Sequence, residues 1–484
     1  MTHRYVRTGR SLGIALLLAG CSLGPAYRSP NLEIPAAFRA TSVTAMQAWP
    51  RADWWRGFGS PELDALIAQA EGGNFDIQAA IARVTQADAQ VRISGSPLLP
   101  AITGSGSWSW QYSGGGGTSS RAGSGRAFES RFYSLGPAVS YEVDFWGKLR
   151  AQQQSAEASA MFSRFDQQTV ALSTVTGVAS TWFQALALQD RLDIARRNVA
   201  VAEQVLRAFT GRLEAGTANM LDVSQQAALL AGLRAGIPGL ESQLVQQINA
   251  LAVLVGRPPE SITVRPGTLT NLTLPEIKPG LPSEVLERRP DVAAAEADLI
   301  AANANIRVAR ANFFPDVVLS ASGGWQSLAL NTLFGPGSLF ATAAATATQT
   351  IFDNGLKGGQ YQQAQGRYDE LLADYRKVVV QAFTDVDDGV DTYRLATEQE
   401  VLQRDAVDKA QRSADIVRAQ LQVGTVDIVT VLQVETTLFT DLDQLVQVRL
   451  ARFQALVNLY KALGGGWTKT DTQVPPSTIF HGVL

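Results

Sequence analysis

The chain has 484 residues, with 41 basic and 44 acidic side chains, and its formal net charge is −3. A single cysteine and two histidines exclude an intrachain disulfide and leave almost nothing for a structural zinc site or a catalytic triad. The balanced charge offers no broad basic surface for nucleic acid. Composition therefore predicts no nucleic-acid partner, and it argues against an enzyme with a metal or cofactor.

The first twenty residues are typical of an export signal. Arg4, Arg7 and Arg10 precede an apolar run over 12–19, which is far shorter than the ~20 residues of a membrane-spanning helix. We therefore predict that residues 1–20 are a signal peptide and are removed.

The signal ends in Leu18-Ala19-Gly20-Cys21, which resembles a bacterial lipobox. That resemblance implies lipidation of Cys21, and Ser22 in place of Asp favours delivery to the outer membrane. The alternative is a buried cysteine that happens to follow an apolar run. Residues 21–60 are predicted to form a lipid-anchored N-terminal extension.

The remainder of the chain contains two copies of one unit. At an offset of 215 residues, Val91-Arg92-Ile93 matches Ile306-Arg307-Val308. At an offset of 208 residues, Gly216-Thr217 matches Gly424-Thr425, and Gln225 matches Gln433. We predict a first repeat over 61–281, a second over 282–467 and a C-terminal tail over 468–484.

Each unit contains two stretches with the period-two alternation of a strand. In the first, apolar or glycine positions from Ile102 to Tyr112 alternate with Ser, Thr and Gln, and a similar run spans 134–145. The predicted hairpins cover about 99–146 and 315–352. The run over 339–352 also fits a helix, and only the repeat favours a strand there.

Long helices account for most of the remaining residues. Proline is missing between Pro137 and Pro238, and between Pro336 and Pro475. A helix over about 148–214 would be roughly 100 Å long at 1.5 Å per residue. Gly216 and Gly424 are placed where each helix pair should turn. The helix carries a heptad seam of apolar residues, which are Leu188, Leu192, Ala195, Val199, Ala202, Leu206, Phe209 and Leu213.

The alternating strands fit a transmembrane β-barrel, but four strands are too few to close one. Since open sheet edges are not tolerated in lipid, the chain must associate with copies of itself. Two copies would supply eight strands, and three would supply twelve and leave room for a polar passage. Trp108, Trp110 and Tyr112 fit either an interfacial aromatic belt or packing at the junction of strands and helices.

Several motifs together resemble the outer membrane factor family, TolC-like, and within it the OprM/NodT type of efflux lipoprotein. The resemblance implies a homotrimer with a twelve-stranded β-barrel, a long α-helical barrel and contact with outer membrane lipid. It also implies two partners, a periplasmic adaptor and an inner-membrane transporter of the resistance-nodulation-division (RND) type. The motifs are Cys21-Ser22-Leu23-Gly24-Pro25-Ala26-Tyr27, Trp54-Trp55 with Phe58, Tyr141-Glu142-Val143-Asp144-Phe145-Trp146-Gly147, Arg289-Pro290-Asp291, Phe314-Pro315, Ile351-Phe352-Asp353-Asn354-Gly355 and Ala462-Leu463-Gly464-Gly465-Gly466-Trp467.

The same resemblance assigns roles to residues at the two helix turns. In the family these turns contact the adaptor, and the segment after the second turn narrows the pore. The alternative is that Gly216 and Gly424 merely end helices. The residues implied for adaptor contact are Arg212, Leu213, Gly216, Thr217, Leu421, Gly424 and Thr425, and those for the constriction are Asp222, Val429, Thr430 and Gln433.

This sequence departs from the family pattern at the constriction. Thr430 and Gln433 stand where relatives often carry aspartates, and Val426 stands where the TolC type has an arginine. We therefore expect the closed tip to depend on Val429 packing and Gln433 hydrogen bonds more than on salt bridges. Asp222 is either a pore carboxylate or a helix N-terminal charge favoured by the dipole.

The sequence thus predicts a mainly α protein with a transmembrane β part that acts as the exit duct of a tripartite efflux pump. A type I secretion duct shares this architecture and is the nearest alternative. A coiled-coil lipoprotein without a pore is a further alternative, but it would not contain the alternating hairpins. An enzyme is the weakest alternative for a chain so poor in histidine and cysteine.

Overall fold

The computed structural model describes residues 27–35, 38, 49–113, 128–275 and 282–469. The predicted signal peptide, Cys21 and the tail beyond Lys469 lie outside the described residues. The helices are α1 (Pro61–Gly73), α2 (Phe75–Gly95), α3 (Lys148–Glu214), α4 (Met220–Val255), α5 (Pro282–Arg288), α6 (Pro290–Ala311), α7 (Leu356–Val423) and α8 (Ile428–Ala462). The strands are β1 (Ala101–Ser113), β2 (Phe128–Glu142), β3 (Asp316–Ser327) and β4 (Leu339–Thr348).

Two very long helices dominate the molecule. Helix α3 has 67 residues and α7 has 68, so each is about 100 Å long at 1.5 Å per residue. The bounds of α3 coincide with the predicted 148–214. The predicted seam residues of α3 are buried or half-buried, as a packed heptad face requires.

The strands form one antiparallel sheet in the order β1-β2-β3-β4. The pairing of β2 with β3 joins the two hairpins, with Leu135 opposite Trp325. At this junction Gly136 approaches Gly323 so closely that a Cβ on Gly136 would lie 2.0 Å from the Gly323 carbonyl oxygen. Within the described chain, β1 and β4 are the two open edges. The prediction of a mainly α chain with four strands is therefore confirmed, and within the run predicted as a strand over 339–352 the strand covers Leu339–Thr348.

The long helices form a layer in the order α4-α3-α8-α7. Helix α3 packs against both α4 and α8, and α8 packs against α7. Helices α4 and α7 therefore lie at the two edges of this layer. The short helices α2 and α6 pack against α3 nearer the sheet.

A strap of irregular chain over 258–275 crosses the middle of the layer. Its apolar side chains Ile262, Val264 and Leu269 join the main core, which α1, α3, α4 and α8 also supply. The Gln189 side chain accepts a hydrogen bond from the Gly267 amide, and Arg449 on α8 donates to the Thr270 hydroxyl over 2.5 Å. The strap therefore covers one face of α3 and α8.

Aromatic rings fill the core beneath the strap. Trp54 stacks on Tyr460 with ring centres 4.5 Å apart, and Phe183 lies 4.9 Å from both Phe58 and Phe453. The segment over 54–58 thus ties the N-terminal part of the chain to α3 and α8. The predicted boundary at residue 60 falls between this anchored segment and α1.

Candidate functional site

The two turns at the far end of the layer close in the same way. Gly216 has φ of 73° and Gly424 has φ of 79°, a left-handed conformation that strains any residue with a Cβ. In each turn the amide of the following threonine donates to a carbonyl five residues earlier. These bonds are 2.8 Å from Thr217 to Arg212 and 3.1 Å from Thr425 to Gln420.

The threonine hydroxyls repeat this pattern. The Thr217 Oγ1 donates to the Arg212 carbonyl over 3.1 Å, and the Thr425 Oγ1 donates to the Gln420 carbonyl over 3.3 Å. Each Gly-Thr pair therefore satisfies helix-end carbonyls that would otherwise lack a donor. This explains physically why Gly-Thr recurs in both repeats.

The helices that follow the turns begin differently. In the first repeat Asn219 caps α4, because its Oδ1 accepts from the Asp222 amide over 3.0 Å. The Asp222 carboxylate in turn accepts from the Asn219 amide over 3.1 Å, which completes a capping box. Asp222 thus has hydrogen bonds at its own helix N-terminus, and its role as a pore carboxylate stays a prediction.

In the second repeat Asp427 caps α8. Its carboxylate accepts from the Thr430 amide over 2.9 Å and from the Thr430 hydroxyl over 3.0 Å. These hydrogen bonds, first among them the one from the Thr430 amide, lower the pKa of the Asp427 carboxyl group. Sequence reasoning missed this residue, although an Asp directly before an apolar helical run is a recognisable cap signal.

A small apolar core holds the two turns together. Val205 and Phe209 of α3 pack with Val417 of α7 and with Ile428 and Val431 of α8. Three other tip residues, Ala218, Leu421 and Val426, pack against this core. Val426, which stands in place of a family arginine, is therefore an apolar packing residue here.

The two turns also lie close together in space. The Arg212 guanidinium of the first turn lies against Gly424 of the second, and a Cβ on Gly424 would come within 2.7 Å of its Nη2. One turn therefore cannot move far without disturbing the other.

A buried ion pair locks α7 to α8 behind the tip. Arg418 binds both carboxylate oxygens of Glu435 at 2.7 and 2.8 Å, and only 4% of the Glu435 side chain is exposed. The hydrogen bonds that Arg418 donates to Glu435 raise the pKa of the Arg418 guanidinium. Sequence reasoning missed this pair, although Val431 and Leu438 place Glu435 on the buried face of α8.

The structure brings the predicted tip residues to one end of the molecule. Gly216, Thr217, Gly424 and Thr425 are exposed, whereas Arg212, Leu213 and Leu421 are half-buried. Among the predicted constriction residues, Val429, Thr430 and Gln433 share an exposed face of α8, and Asp222 is half-buried on α4. The roles assigned to these residues stay predictions.

Comparison with known proteins gives consistent matches along the chain. The sequence model of outer membrane efflux proteins matches residues 66–257 and 281–465. The pyoverdine export outer membrane protein OpmQ of Pseudomonas aeruginosa is 39% identical, over 96% of this chain and 97% of that protein. The cation efflux system protein CusC of Escherichia coli is 29% identical, over 94% of this chain and 97% of that protein.

Solved structures agree with these sequence matches. The outer-membrane channel OprN superimposes with a TM-score of 0.85 at 27% identity, covering 92% of this chain and 100% of that one. A crystal structure of CusC superimposes with a TM-score of 0.82 at 28% identity, covering 92% of this chain and 100% of that one.

Proposed function

This chain belongs to the outer membrane efflux protein family, and we propose that it is the exit duct of a tripartite efflux pump. It is an outer membrane efflux channel whose fold combines an α-helical barrel with a β part. The observation that carries the proposal is the family match across both repeats, which includes the four strands and both helix turns. The duct would open to the exterior and receive cargo from a periplasmic adaptor and an RND-type inner-membrane transporter.

We propose that the working unit is a homotrimer. Within the described chain, the sheet ends in β1 and β4, each with one unpaired edge, and the helix layer likewise ends in α4 and α7. Three copies would supply twelve strands and pair every edge, which lipid demands of a membrane-spanning sheet. The long helices would then close into a tube of about the same length as α3.

We propose that Cys21 carries a lipid anchor and that the extension after it packs against the body of the protein. Two residues shortly after it, Tyr27 and Ser29, contact Glu296 on α6, with oxygen–oxygen distances of 3.5 and 3.3 Å. Trp49 donates to Glu284 over 2.9 Å and lies under the Arg288 guanidinium. These contacts support an N-terminal extension that lies along the body of the protein before the first repeat begins.

We propose that the two exposed turns contact the adaptor. The geometry supports this proposal, because both turns are closed by hydrogen bonds and lie side by side at the end farthest from the sheet. Transport through the duct would be passive, so no catalytic group is required. The proposed narrow passage lies directly beyond the second turn, at Val429, Thr430 and Gln433. The capping role of Asp222 supports a closed tip that does not depend on a ring of pore carboxylates.

Efflux is favoured over protein secretion by the relatives, whose names refer to pyoverdine export, cation efflux and toluene efflux. A coiled-coil lipoprotein without a pore does not fit the observed four-stranded sheet. We propose small molecules as the exported cargo.

Recording channels from purified mature protein in planar lipid bilayers tests the duct proposal. We expect a trimer by native mass spectrometry and discrete single-channel currents. A monomer that gives no channels would contradict the proposal. Cys21→Ser should abolish labelling with a fatty-acid probe, and labelling that persists would overturn the lipid-anchor assignment.

Crosslinking in cells tests the adaptor contact. A photoreactive amino acid at Thr217 or Thr425 should trap a periplasmic protein that mass spectrometry identifies as an adaptor. The same group at Gln360, at the opposite end of α7, is the matched control and should not trap it. Equal trapping at all three positions would contradict the assignment of the tip.

A further inference from the structure

Helix α8 carries an exposed stripe without any ionisable side chain. Apart from Lys461 in the last turn, the stripe contains every exposed residue of this fully described helix. It extends over roughly 45 Å at 1.5 Å per residue. Its members are Val429, Thr430, Gln433, Thr436, Thr437, Thr440, Gln444, Gln447, Ala451 and Asn458.

The charged side chains of α8 over 429–458 are directed to neighbouring helices instead. Glu435 is held by Arg418, and Asp443 binds Arg191 of α3 at 2.6 and 3.1 Å. Gln403 of α7 donates to the Asp441 carbonyl over 3.2 Å and to the Asp441 carboxylate over 3.5 Å.

The two arginines of this part of α8 share one carboxylate. Arg449 and Arg452 both bind Glu400 of α7 at 3.0 Å, and only 4% of the Glu400 side chain is exposed. Glu435, Arg449 and Arg452 are therefore partnered away from the stripe. The Asp443 carboxylate borders it, because it also accepts from the stripe residue Gln447 over 2.6 Å, and it is paired with Arg191.

Three of the four threonine hydroxyls of the stripe donate hydrogen bonds within α8 or to its N-terminal cap. Thr430 donates to Asp427, Thr437 donates to the Gln433 carbonyl over 2.9 Å, and Thr440 donates to the Thr436 carbonyl over 2.8 Å. The surface therefore offers methyl groups and amides, with hydroxyl oxygens as acceptors. Such a surface can contact apolar and hydrogen-bonding groups but holds no fixed charge.

The position of the strap shows which side of the layer the stripe occupies. Arg449 contacts the strap through Thr270, and Thr440 lies nine residues earlier on α8. At 100° per residue, nine residues place Thr440 on the opposite side of the helix. Because α8 lies between α3 and α7, the stripe is also away from the edges of the layer. It continues, on the same face, the proposed constriction residues Val429, Thr430 and Gln433.

We propose that this α8 stripe is a cargo-facing wall of the duct and makes conduction nearly indifferent to the sign of the solute's charge. The inference rests on the exit-duct function proposed above and specifies its substrate class. The cargo would be uncharged or zwitterionic organic molecules with both apolar and hydrogen-bonding groups, rather than free metal cations. Walls with fixed charges enrich counter-ions, and the stripe itself contains no ionisable side chain.

The test is the ratio of K⁺ to Cl⁻ permeability, measured from reversal potentials of the full mature protein in planar bilayers under a KCl gradient. We expect a wild-type ratio within about twofold of unity, because the stripe contains no ionisable side chain. Gln444→Glu should raise the ratio severalfold, and Gln444→Lys should lower it below one. Each substitution would act in every copy of the chain.

Gln204→Glu is the matched control. Gln204 is exposed on α3, and it lies five helical turns beyond Leu186, which contacts the strap at Gly267. The same new charge therefore lies on the strap side of the layer, and we expect no change in the permeability ratio.

Two results would overturn this inference while leaving the exit-duct proposal intact. One is a strongly cation-selective wild-type channel, and the other is a channel on which Gln444→Glu and Gln204→Glu act alike. Complete absence of channels, with folded trimer present, would overturn the exit-duct proposal and this inference with it.

Discussion

The two helix turns at the tip have the same structure, but the ion pairs that join the helices on either side of each turn differ in burial. Both turns use a left-handed glycine and a threonine that satisfies the end of the preceding helix. Behind the second turn, Arg418 and Glu435 form a buried bidentate pair. Behind the first, Arg234 and Glu203 make a contact of 2.7 Å that is largely exposed to solvent.

A proline adds to the difference between the two helix pairs. Pro238 lies inside α4, where it has no amide hydrogen to donate to the carbonyl four residues earlier. Helix α8 contains no proline and packs between two neighbours. The repeats therefore preserve the turn, which backbone geometry dictates, and differ in how firmly each helix pair is held. We infer that α7 and α8 behave as the stiffer pair.

The largest expected difference between the repeats comes from the ion pairs. Arg418→Ala should leave the Glu435 carboxylate buried without its partner and cost roughly 3 kcal/mol of local opening free energy. Arg234→Ala, which breaks an interhelical ion pair of the first repeat, should cost less than about 1 kcal/mol because that pair is exposed. Amide hydrogen exchange over residues 410–440 and 200–236 measures both losses of opening free energy. Equal losses in the two repeats would contradict a stiffer α7–α8 pair.

The turn glycines should give a smaller effect. Gly216→Ala and Gly424→Ala each force a Cβ into the left-handed region, at a cost of about 1 kcal/mol. Gly424→Ala should cost more, because Arg212 must also move, whereas the space around Gly216 is open. The rate of protease cleavage at each turn reports the loss of local stability.

Gly232→Ala is the control for these glycine variants. Gly232 lies inside α4 with open space around it, so alanine should stabilise that helix by roughly 0.5–1 kcal/mol. A Gly216→Ala protein that is less stable than Gly424→Ala would show that the Arg212 contact is unimportant.

The smallest expected effect is a dependence on pH that only the second turn shows strongly. The pKa of Asp427 is lowered in the folded protein, so its cap stabilises α8 above the ordinary Asp pKa near 4. That stabilisation is lost as the pH falls from about 4 through the lowered pKa. Exchange of the Thr430 amide, corrected for its intrinsic rate, should therefore accelerate in acid.

Asp427→Asn should keep the cap and remove this acid sensitivity. In the wild type, exchange of the Asp222 amide, which donates to the neutral Asn219 side chain, should accelerate less in acid than exchange of the Thr430 amide. Equal acceleration of both amides in the wild type would show that the carboxylate cap is not the cause.

Much of the fold could be predicted because its causes are local and repeated. The bounds of α3 follow from a long proline-free heptad pattern, and the strands follow from alternation that the second repeat reproduces. The two turns follow from Gly-Thr, because only glycine adopts the left-handed conformation without strain. The run over 339–348 could be assigned only through the repeat, since alternating Ala and Thr fits a helix equally well.

The parts of the site that sequence reasoning missed depend on long-range packing. The partners Arg418 and Glu435 belong to different helices, and nothing in either segment alone pairs them. The capping box of Asp222 likewise could not be predicted, because it depends on whether Asn219 begins the helix. The contacts of the strap could not be predicted for the same reason, since Gln189 and Arg449 contact it only after α3 and α8 have packed.

The repeat itself supplies the most direct test of the central claim, that the start of α8, and not the start of α4, narrows the duct. Gln433 and its counterpart Gln225 occupy equivalent positions, yet Gln433 is exposed and Gln225 is half-buried. Single-channel conductance of the mature protein should rise severalfold with Gln433→Ala and stay unchanged with Gln225→Ala. An unchanged conductance with Gln433→Ala, or an equal rise with both substitutions, would contradict the account.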